Sequence, residues 1–291
     1  MQDNTMRLHD GRNLGFSEYG KPEGIPLFLF HGTPGSRLFP ELEQAAWIQE
    51  YGIRVITPER PGYGLSSPAP GRSISDWASD VEELADHLGL DSYHVAGGSG
   101  GGPFALACAI HSSARVLSVT LISSGGPPEV MRISKDMQLG NRIAFFVARY
   151  APFLLKVLLA NNAKVIKKRP DKFMAAMTSK LPEWDKRMLE KRCGEASPMH
   201  VQEAFRQGAD GAYRDMLLVS HPWHLNLDAI TVPIFLWHGT ADILVPVATA
   251  QEFSKLIPGC EPHFIPDAGH MLLSSEDVAS QMMSKMVTVG A

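Results

Sequence analysis

The sequence predicts an α/β fold in which a mostly parallel, eight-stranded sheet is covered by helices on both faces. Short apolar runs alternate with helical patterns along most of the chain, which is typical of this class. The runs are almost continuously apolar, as expected for parallel strands buried on both faces. One of them passes through a glycine-rich corner directly into a helical pattern.

The composition is that of an ordinary globular protein. The chain has 291 residues, of which 44% are hydrophobic and 20% are charged. A chain of this length can bury a core that needs no covalent or metal cross-links. Its three cysteines, Cys108, Cys193 and Cys260, are far apart, so we expect neither a disulfide framework nor a zinc site, and a reducing compartment fits best.

No segment has the pattern of a secretory signal or a membrane span. The N-terminal "MQDNTMRLHDGRNLGF" has no apolar core, which favours a cytoplasmic location. The most apolar run, "IAFFVARYAPFLLKVLLA" (143–160), contains Arg149, Pro152 and Lys156, which a spanning helix of about 20 apolar residues seldom carries. We interpret it as a buried or pocket-lining helix pair, with contact to a membrane surface as the alternative.

The strand candidates follow one another in order along the chain. The turn pair Asp10 and Gly11 precedes "NLGFSEY", so the first two strands are expected to form a hairpin. The later candidates are "PLFLF" (26–30), "IRVITP" (53–58), "YHVAG" (93–97), "VLSVTLIS" (116–123), "IFLWHG" (234–239) and "PHFIP" (262–266). Between them, residues 73–90 place Trp77, Val81 and Leu84 at helical spacing after a Ser/Asp cap and before Gly89.

The alternation stops between residues 127 and 228, which we interpret as a helical cap inserted between core segments 1–126 and 229–291. The insertion carries 17 basic and 11 acidic side chains, a net charge of +6, while the whole chain has −4. We favour a solvated basic surface; an acidic substrate is the alternative, and no nucleic acid is expected.

The glycine-rich corner surrounds Ser99 in "GGSGG" (97–101). It matches G-x-S-x-G, in which the serine lies at the apex of a strand-to-helix turn with its hydroxyl exposed. The next backbone N–H, that of Gly100, lies at a helix N-terminus and could stabilise an oxyanion. The alternative is a turn that holds a phosphate.

A serine nucleophile needs a base and an acid that orients the base. Asp242 follows "IFLWHG" and His270 follows "PHFIP", so both are expected at the sheet edge that carries Ser99. The alternatives are an ordinary loop carboxylate and loop histidine. The loop "HGTPG" (31–35) is expected to supply a second oxyanion donor, the backbone N–H of Thr33, while Arg37 fits a structural ion pair better than a substrate carboxylate.

These residues together resemble the α/β-hydrolase superfamily. "HGTPG", "ERPGYGLS", "GGSGG", "GTAD" and "AGH" occur in the family's order and cover nearly the whole core. The motifs "HGTPG" and "GGSGG" are most similar to those of the serine-nucleophile branch, which contains small carboxylesterases and proline iminopeptidases. Ser99 stands where epoxide hydrolases and haloalkane dehalogenases carry Asp, which argues against both activities. Iminopeptidases usually have "HGGPG" and an acidic cap, whereas this insertion is basic.

The resemblance implies a serine hydrolase that cleaves a small or medium carboxylic ester or lactone through an acyl-enzyme. No metal or organic cofactor is expected, the partner is a small-molecule substrate, and a homo-oligomer is left open. The apolar side chains Phe145, Phe146, Met174 and Met177 are candidates for the substrate pocket, although for each of them individually we favour packing between the cap helices. An iminopeptidase-like aminopeptidase and a ligand-sensing receptor with a slow triad are the alternative functions.

Overall fold

The computed structural model describes residues 3–131, 133–192 and 197–289. Its centre is a sheet of eight strands in the spatial order β1-β2-β4-β3-β5-β6-β7-β8. The β1–β2 and β2–β4 pairs are antiparallel and the remaining pairs are parallel. The strands are Asn4–Arg7 (β1), Asn13–Tyr19 (β2), Ile25–Phe30 (β3), Ile53–Pro58 (β4), Tyr93–Gly98 (β5), Val116–Ile122 (β6), Ile234–Gly239 (β7) and Cys260–Ile265 (β8).

Helices connect the strands and cover both faces of the sheet. The helices of the described residues are Ala46–Glu50 (α1), Asp76–His87 (α2), Gly102–His111 (α3), Leu139–Tyr150 (α4), Pro152–Lys168 (α5), Pro170–Thr178 (α6), Glu183–Arg192 (α7), Ser197–Ala204 (α8), Asp210–Ser220 (α9), Val247–Leu256 (α10) and Glu276–Val287 (α11). Short 3-10 turns supplement them, one of which is formed by Ser99–Gly101.

The core consists of two apolar layers separated by the sheet. On one face, Trp77 of α2, Phe104 of α3 and Phe253 of α10 pack in one buried cluster. On the other face, Trp47 of α1 and Met282 of α11 pack in a second cluster. Burial of this apolar area is the main force that holds the helices on the sheet. The predicted α/β class, the eight strands and the two helical layers are confirmed.

Element boundaries deviate from the sequence expectations where the chain meets solvent. The helix expected over residues 73–90 is regular only over Asp76–His87, because Ser73 and Asp76 exchange hydrogen bonds before it and Gly89 adopts φ +67° after it. β8 is only partly buried, unlike the fully buried β7, since it is the edge strand of the sheet. It begins two residues earlier than expected.

Between β6 and β7 the chain forms α4 to α9 in succession. Ala212 and Met216 of α9 are buried in the same cluster as α3, and the ring of Trp223 packs edge-on against Phe253 at 5.7 Å between centroids. The boundaries 127 and 228 of this helical insertion stay predictions. Among the described residues, no helix combines the length and the apolar character that crossing a bilayer requires.

Candidate active site

Ser99 lies at a strained corner between β5 and α3. Its φ of +50° is in the left-handed region, which a non-glycine residue adopts at a cost of about 1–3 kcal/mol. The chain turns so sharply that a Cβ on Gly97 would lie 2.6 Å from the carbonyl oxygen of Gly101. The corner therefore requires glycine before the serine, and it places Ser99 at the carboxyl end of β5.

Asp242 and His270 are joined by a short hydrogen bond. The Nδ1 atom of His270, in the loop after β8, lies 2.6 Å from Oδ2 of Asp242, in the loop after β7. The backbone N–H groups of Leu244 and Val245 donate to Oδ1 of Asp242 at 2.8 and 2.9 Å. The Asp242 side chain is fully buried and that of His270 is 10% exposed. The carboxylate thus binds the imidazole through Nδ1 and makes no contact with Nε2.

Asp242 and His270 shift each other's pKa. Burial alone would raise the pKa of Asp242, but the charge and hydrogen bond of His270, together with His238, hold it below its usual value. Burial alone would lower the pKa of His270, but Asp242 outweighs this effect and Asp185 adds to it, so that the pKa is raised. We therefore expect an ionised Asp242 and a basic imidazole at neutral pH.

Two serines at the end of β6 tie the loop of His270 to the corner of Ser99. The hydroxyl of Ser123 donates to the His270 carbonyl oxygen at 2.8 Å, and that of Ser124 donates to the Ser99 carbonyl oxygen at 2.9 Å. His270 therefore reaches back over β6, the strand next to β5. No hydrogen bond between the Ser99 hydroxyl and the His270 ring is present among the contacts of the described residues.

Thr33 and Gly100 approach each other closely. A Cβ on Gly100 would lie 3.3 Å from the Thr33 nitrogen and 2.5 Å from its hydroxyl. The Thr33 loop follows β3, the other neighbour of β5. The two predicted N–H donors therefore occur on adjacent segments beside Ser99, one of them at the start of the helical turn that leads into α3.

A buried ion network holds the loop of Thr33. The Arg60 guanidinium donates to the carbonyl oxygens of His31 at 2.6 Å and Gly32 at 2.9 Å, and its Nε donates to Asp215 at 2.8 Å. Asp215 also accepts a hydrogen bond from the Thr33 hydroxyl at 3.3 Å. The Thr33 side chain, which the sequence left without a role, is thus fixed by the insertion helix α9.

Asp215 is neutralised by two arginines. Arg72 donates to its second oxygen, and the side chains of Arg60 and Asp215 are fully buried. Burial alone would raise the pKa of Asp215, but the charges of Arg60 and Arg72 hold it well below the usual value. The Arg60 guanidinium also lies 4.5 Å from the ring centre of Phe104 in α3. One ion cluster therefore contacts the Thr33 loop, the insertion and α3.

A second buried carboxylate of the insertion contacts the His270 loop. Oδ1 of Asp185, in α7, accepts a hydrogen bond from the Met271 N–H at 2.8 Å, while Oδ2 is buried without a partner. Gly269 packs so closely against this carboxylate that a Cβ there would overlap it. Burial raises the pKa of Asp185, opposed by hydrogen bonds from the backbone of Met271 and His270.

The predicted pocket residues occupy different environments. Phe145 packs near the Asp242 loop, in a cluster with Met131, Met137 and Val245. Phe146 is 55% exposed and Met177 is 47% exposed, while Met174 is half-buried. Their assignment to a substrate pocket stays a prediction.

A cavity of about 290 Å³ lies elsewhere. It is lined by residues of the N-terminal hairpin, α2 and the segment before it, with Arg12, Arg72, Trp77 and Asp80 among them, and Ser99 is not in its wall. In the described ranges, His, Cys, Asp and Glu side chains form no group of three or more that could hold a metal ion.

Arg37 and His238 are both buried. Arg37 pairs with Glu59 at 2.9 Å and with Glu203, so it is structural. His238 is fully buried, and its Nε2 lies 2.8 Å from the Val245 carbonyl oxygen.

Sequence reasoning missed the supporting residues Arg60, Ser123, Ser124, Asp185 and Asp215. Arg60 and the serine pair do follow strands β4 and β6, which was an available signal. The two aspartates lie on insertion helices at no fixed distance from a strand, so nothing in the local pattern marks them.

Comparisons with known proteins agree with this architecture. The family model described as alpha/beta hydrolase fold matches residues 25–277. The uncharacterized hydrolase YcgS of Bacillus subtilis is 27% identical, with 93% of this chain and 92% of the relative covered. A proline iminopeptidase of Xanthomonas citri is 26% identical, with 95% and 93% covered. The solved structure of a thermophilic esterase from Thermogutta terrifontis has a TM-score of 0.68 at 24% identity, with 99% and 98% covered, which shows the shared fold. The chain therefore belongs to the α/β hydrolase fold family.

Proposed function

We propose that the protein is a serine hydrolase that cleaves a small or medium carboxylic ester or lactone through an acyl-enzyme. The observation that carries this proposal is the 2.6 Å contact between His270 Nδ1 and a fully buried Asp242 carboxylate. A carboxylate in this position orients the imidazole and stabilises its protonated form, as a general base requires. The strained Ser99, directly after β5, supplies the nucleophile.

In the first half-reaction, His270 Nε2 takes the proton from the Ser99 hydroxyl while Oγ attacks the ester carbonyl carbon. The carbonyl oxygen becomes an oxyanion, which the N–H groups of Thr33 and Gly100 stabilise. As the tetrahedral intermediate collapses, the C–O bond to the alcohol breaks and the leaving oxygen takes the proton from Nε2. Water then attacks the acyl-enzyme in the same way, releasing the carboxylic acid and restoring Ser99.

Asp242 serves the imidazole in both half-reactions. It accepts the hydrogen bond from Nδ1, which directs the lone pair of Nε2 toward the substrate, and its negative charge stabilises the imidazolium that forms. The hydrogen bond between Ser99 and His270 forms when substrate binds, as catalytic contacts often tighten only in the complex. Ser123 and Ser124 keep the two backbones near enough for this step.

We propose further that the helical insertion, residues 127–228, is a cap that selects the substrate. Phe145 supports this role, because it packs against Val245 beside the Asp242 loop. Deformable methionine and aromatic side chains would favour an apolar acyl group over a charged one. No cofactor enters the mechanism.

The proposal is tested by labelling with a fluorophosphonate, which reacts with an activated serine. We expect labelling of the wild type and of the control Ser254→Ala, whose hydroxyl donates to the Gln251 carbonyl oxygen within α10, and none of Ser99→Ala. Equal labelling of Ser99→Ala would refute the nucleophile. A panel of p-nitrophenyl esters and lactones then measures the substrate preference, and a labelled enzyme that turns over none of them would refute the ester reaction.

An aminopeptidase is the second candidate, because the relative from Xanthomonas citri is named a proline iminopeptidase. The same nucleophile and oxyanion donors would serve amide cleavage. The basic insertion argues against recognition of a free amine, which is cationic. Aminoacyl anilides separate the two functions. An enzyme that cleaves the anilides but none of the esters would be a peptidase, and the esterase proposal would be wrong.

A further inference from the structure

Helices α4 and α5 expose an apolar stripe that no other part of the described chain covers. On α4 the stripe consists of Leu139, Ile143, Phe146 and Tyr150, at spacings of four, three and four residues, and Phe153 and Val157 continue it on α5. Tyr150 is 69% exposed and Phe153 is 70% exposed. The rings of Phe146 and Tyr150 lie 5.0 Å apart. We call these six residues the outer stripe.

The same stretch of chain is strongly basic. Residues 139–180 carry nine Lys and Arg side chains and a single acidic one, Asp171. Lys164, Lys167, Lys168 and Lys172 are exposed and take part in none of the ion pairs of the described residues. A net charge of +8 thus accompanies the outer stripe, whereas the chain outside residues 127–228 has 10 basic and 20 acidic side chains.

The charge decides which partner the outer stripe fits. Apolar surfaces of this kind mark interaction sites. A second copy that docks through the same outer stripe would bring two segments of +8 together, which is repulsive. An anionic lipid surface carries negative charge that attracts the lysines, and the boundary between its headgroups and acyl chains accommodates the aromatic rings. Helices that lie at a membrane interface combine basic and apolar side chains in this way. The acidic remainder of the chain would be repelled, so the insertion faces the bilayer.

We propose that α4 and α5 dock the protein on the surface of an anionic bilayer, with the outer stripe at the level of the lipid headgroups and the lysines of α5 and α6 against the lipid phosphates. This interaction is independent of the chemistry proposed for Ser99.

Flotation with vesicles tests the docking. We expect the full chain to bind vesicles of phosphatidylcholine with 30% phosphatidylglycerol, to bind pure phosphatidylcholine at least tenfold more weakly, and to lose affinity in 0.5 M NaCl. The triple variant Lys164→Gln, Lys167→Gln, Lys168→Gln should bind the anionic vesicles on the order of 100-fold more weakly, since each basic residue contributes about a fivefold factor.

The apolar part is tested by the triple variant Phe146→Ser, Tyr150→Ser, Phe153→Ser, which should weaken vesicle binding at least tenfold. Leu256→Ser, at an exposed leucine of α10, is the matched control and should bind like the wild type. Circular dichroism and thermal unfolding of each variant confirm that it is folded.

Three outcomes would overturn the proposal. These are no binding by the wild type, binding that ignores lipid charge and salt, and equal binding by the Phe146, Tyr150 and Phe153 variant. A dimer in light scattering that this variant abolishes, without vesicle binding by the wild type, would assign the outer stripe to self-association instead.

Discussion

Replacing Asp215 by Asn removes the carboxylate that pairs with both Arg60 and Arg72 in the buried ion network. The amide keeps the size of the carboxylate, but the guanidinium groups of Arg60 and Arg72 lose their counter-charge at a site where the Arg60 and Asp215 side chains are fully buried. Breaking a buried pair in this way costs about 3–5 kcal/mol. For a chain of this size, about 2 °C in Tm corresponds to each kcal/mol, so we expect Tm to fall by about 6–10 °C.

The effect should depend on pH in a defined direction. The pKa of Asp215 is lowered in the folded protein, so its contribution to the free energy of unfolding is present above the unfolded-state pKa of about 3.9 and is lost as the pH falls toward the folded value. The difference in Tm between the wild type and Asp215→Asn should therefore be constant from pH 5 to pH 7 and narrow below about pH 4.

Thermal unfolding followed by circular dichroism measures both quantities. Asp86→Asn, which removes an exposed ion pair with Arg115, is the matched control and should change stability by at most about 1 kcal/mol. Ester turnover well below Tm adds a second readout: kcat should fall at least tenfold, because Arg60, which holds the backbone of the Thr33 loop, loses its charged partner. A Tm within 2 °C of the wild type would refute the reasoning.

Three further substitutions test the remaining parts of the site. Asp242→Asn should lower kcat for esters by about 10⁴-fold with little change in thermal stability, as measured by steady-state kinetics, and a loss below tenfold would contradict its role. Asp185→Asn keeps a hydrogen-bond acceptor for the Met271 N–H but removes a negative charge that raises the pKa of His270. The acidic limb of the kcat/KM profile against pH should therefore move to lower pH. An unchanged profile would show that the charge of Asp185 does not affect the imidazole. Gly97→Ala should cost about 1–3 kcal/mol and lower Tm in differential scanning fluorimetry, because the new methyl group would lie 2.6 Å from a backbone carbonyl oxygen; an unchanged Tm would mean that the corner relaxes freely.

The corner at Ser99 and the positions of Asp242 and His270 could be predicted because they depend on local pattern and on one rule of topology. A glycine-flanked serine between a strand and a helix identifies the corner within five residues. Parallel strands end at the same edge of a sheet, so residues after β7 and β8 are expected at the edge where β5 ends. The side chains of Asp242 and His270 are 28 residues apart, and their contact followed from that rule.

The supporting carboxylates could not be predicted, for a physical reason. Asp185 contacts Met271 across 86 residues and Asp215 contacts Arg60 across 155, and each lies on a helix whose orientation is decided by packing. In the sequence both look like acidic residues on a basic, solvated surface. Burial changes what each carboxylate requires, because a carboxylate without water must accept a hydrogen bond or pair with a cation.

The two carboxylates give the helical insertion a part in assembling the proposed site. Asp215 reaches the loop of Thr33, and Asp185 reaches the backbone beside His270, so the insertion contacts both the loop of the proposed oxyanion donor and the loop of the proposed base. A rigid core with a passive lid would need neither contact. Because each contact is a buried hydrogen bond or ion pair, a displacement of the insertion breaks it at a cost of about 1–3 kcal/mol or more. The position of the insertion and the geometry of both loops are therefore energetically coupled, and any ligand that stabilises the seated insertion also stabilises the arrangement proposed for catalysis.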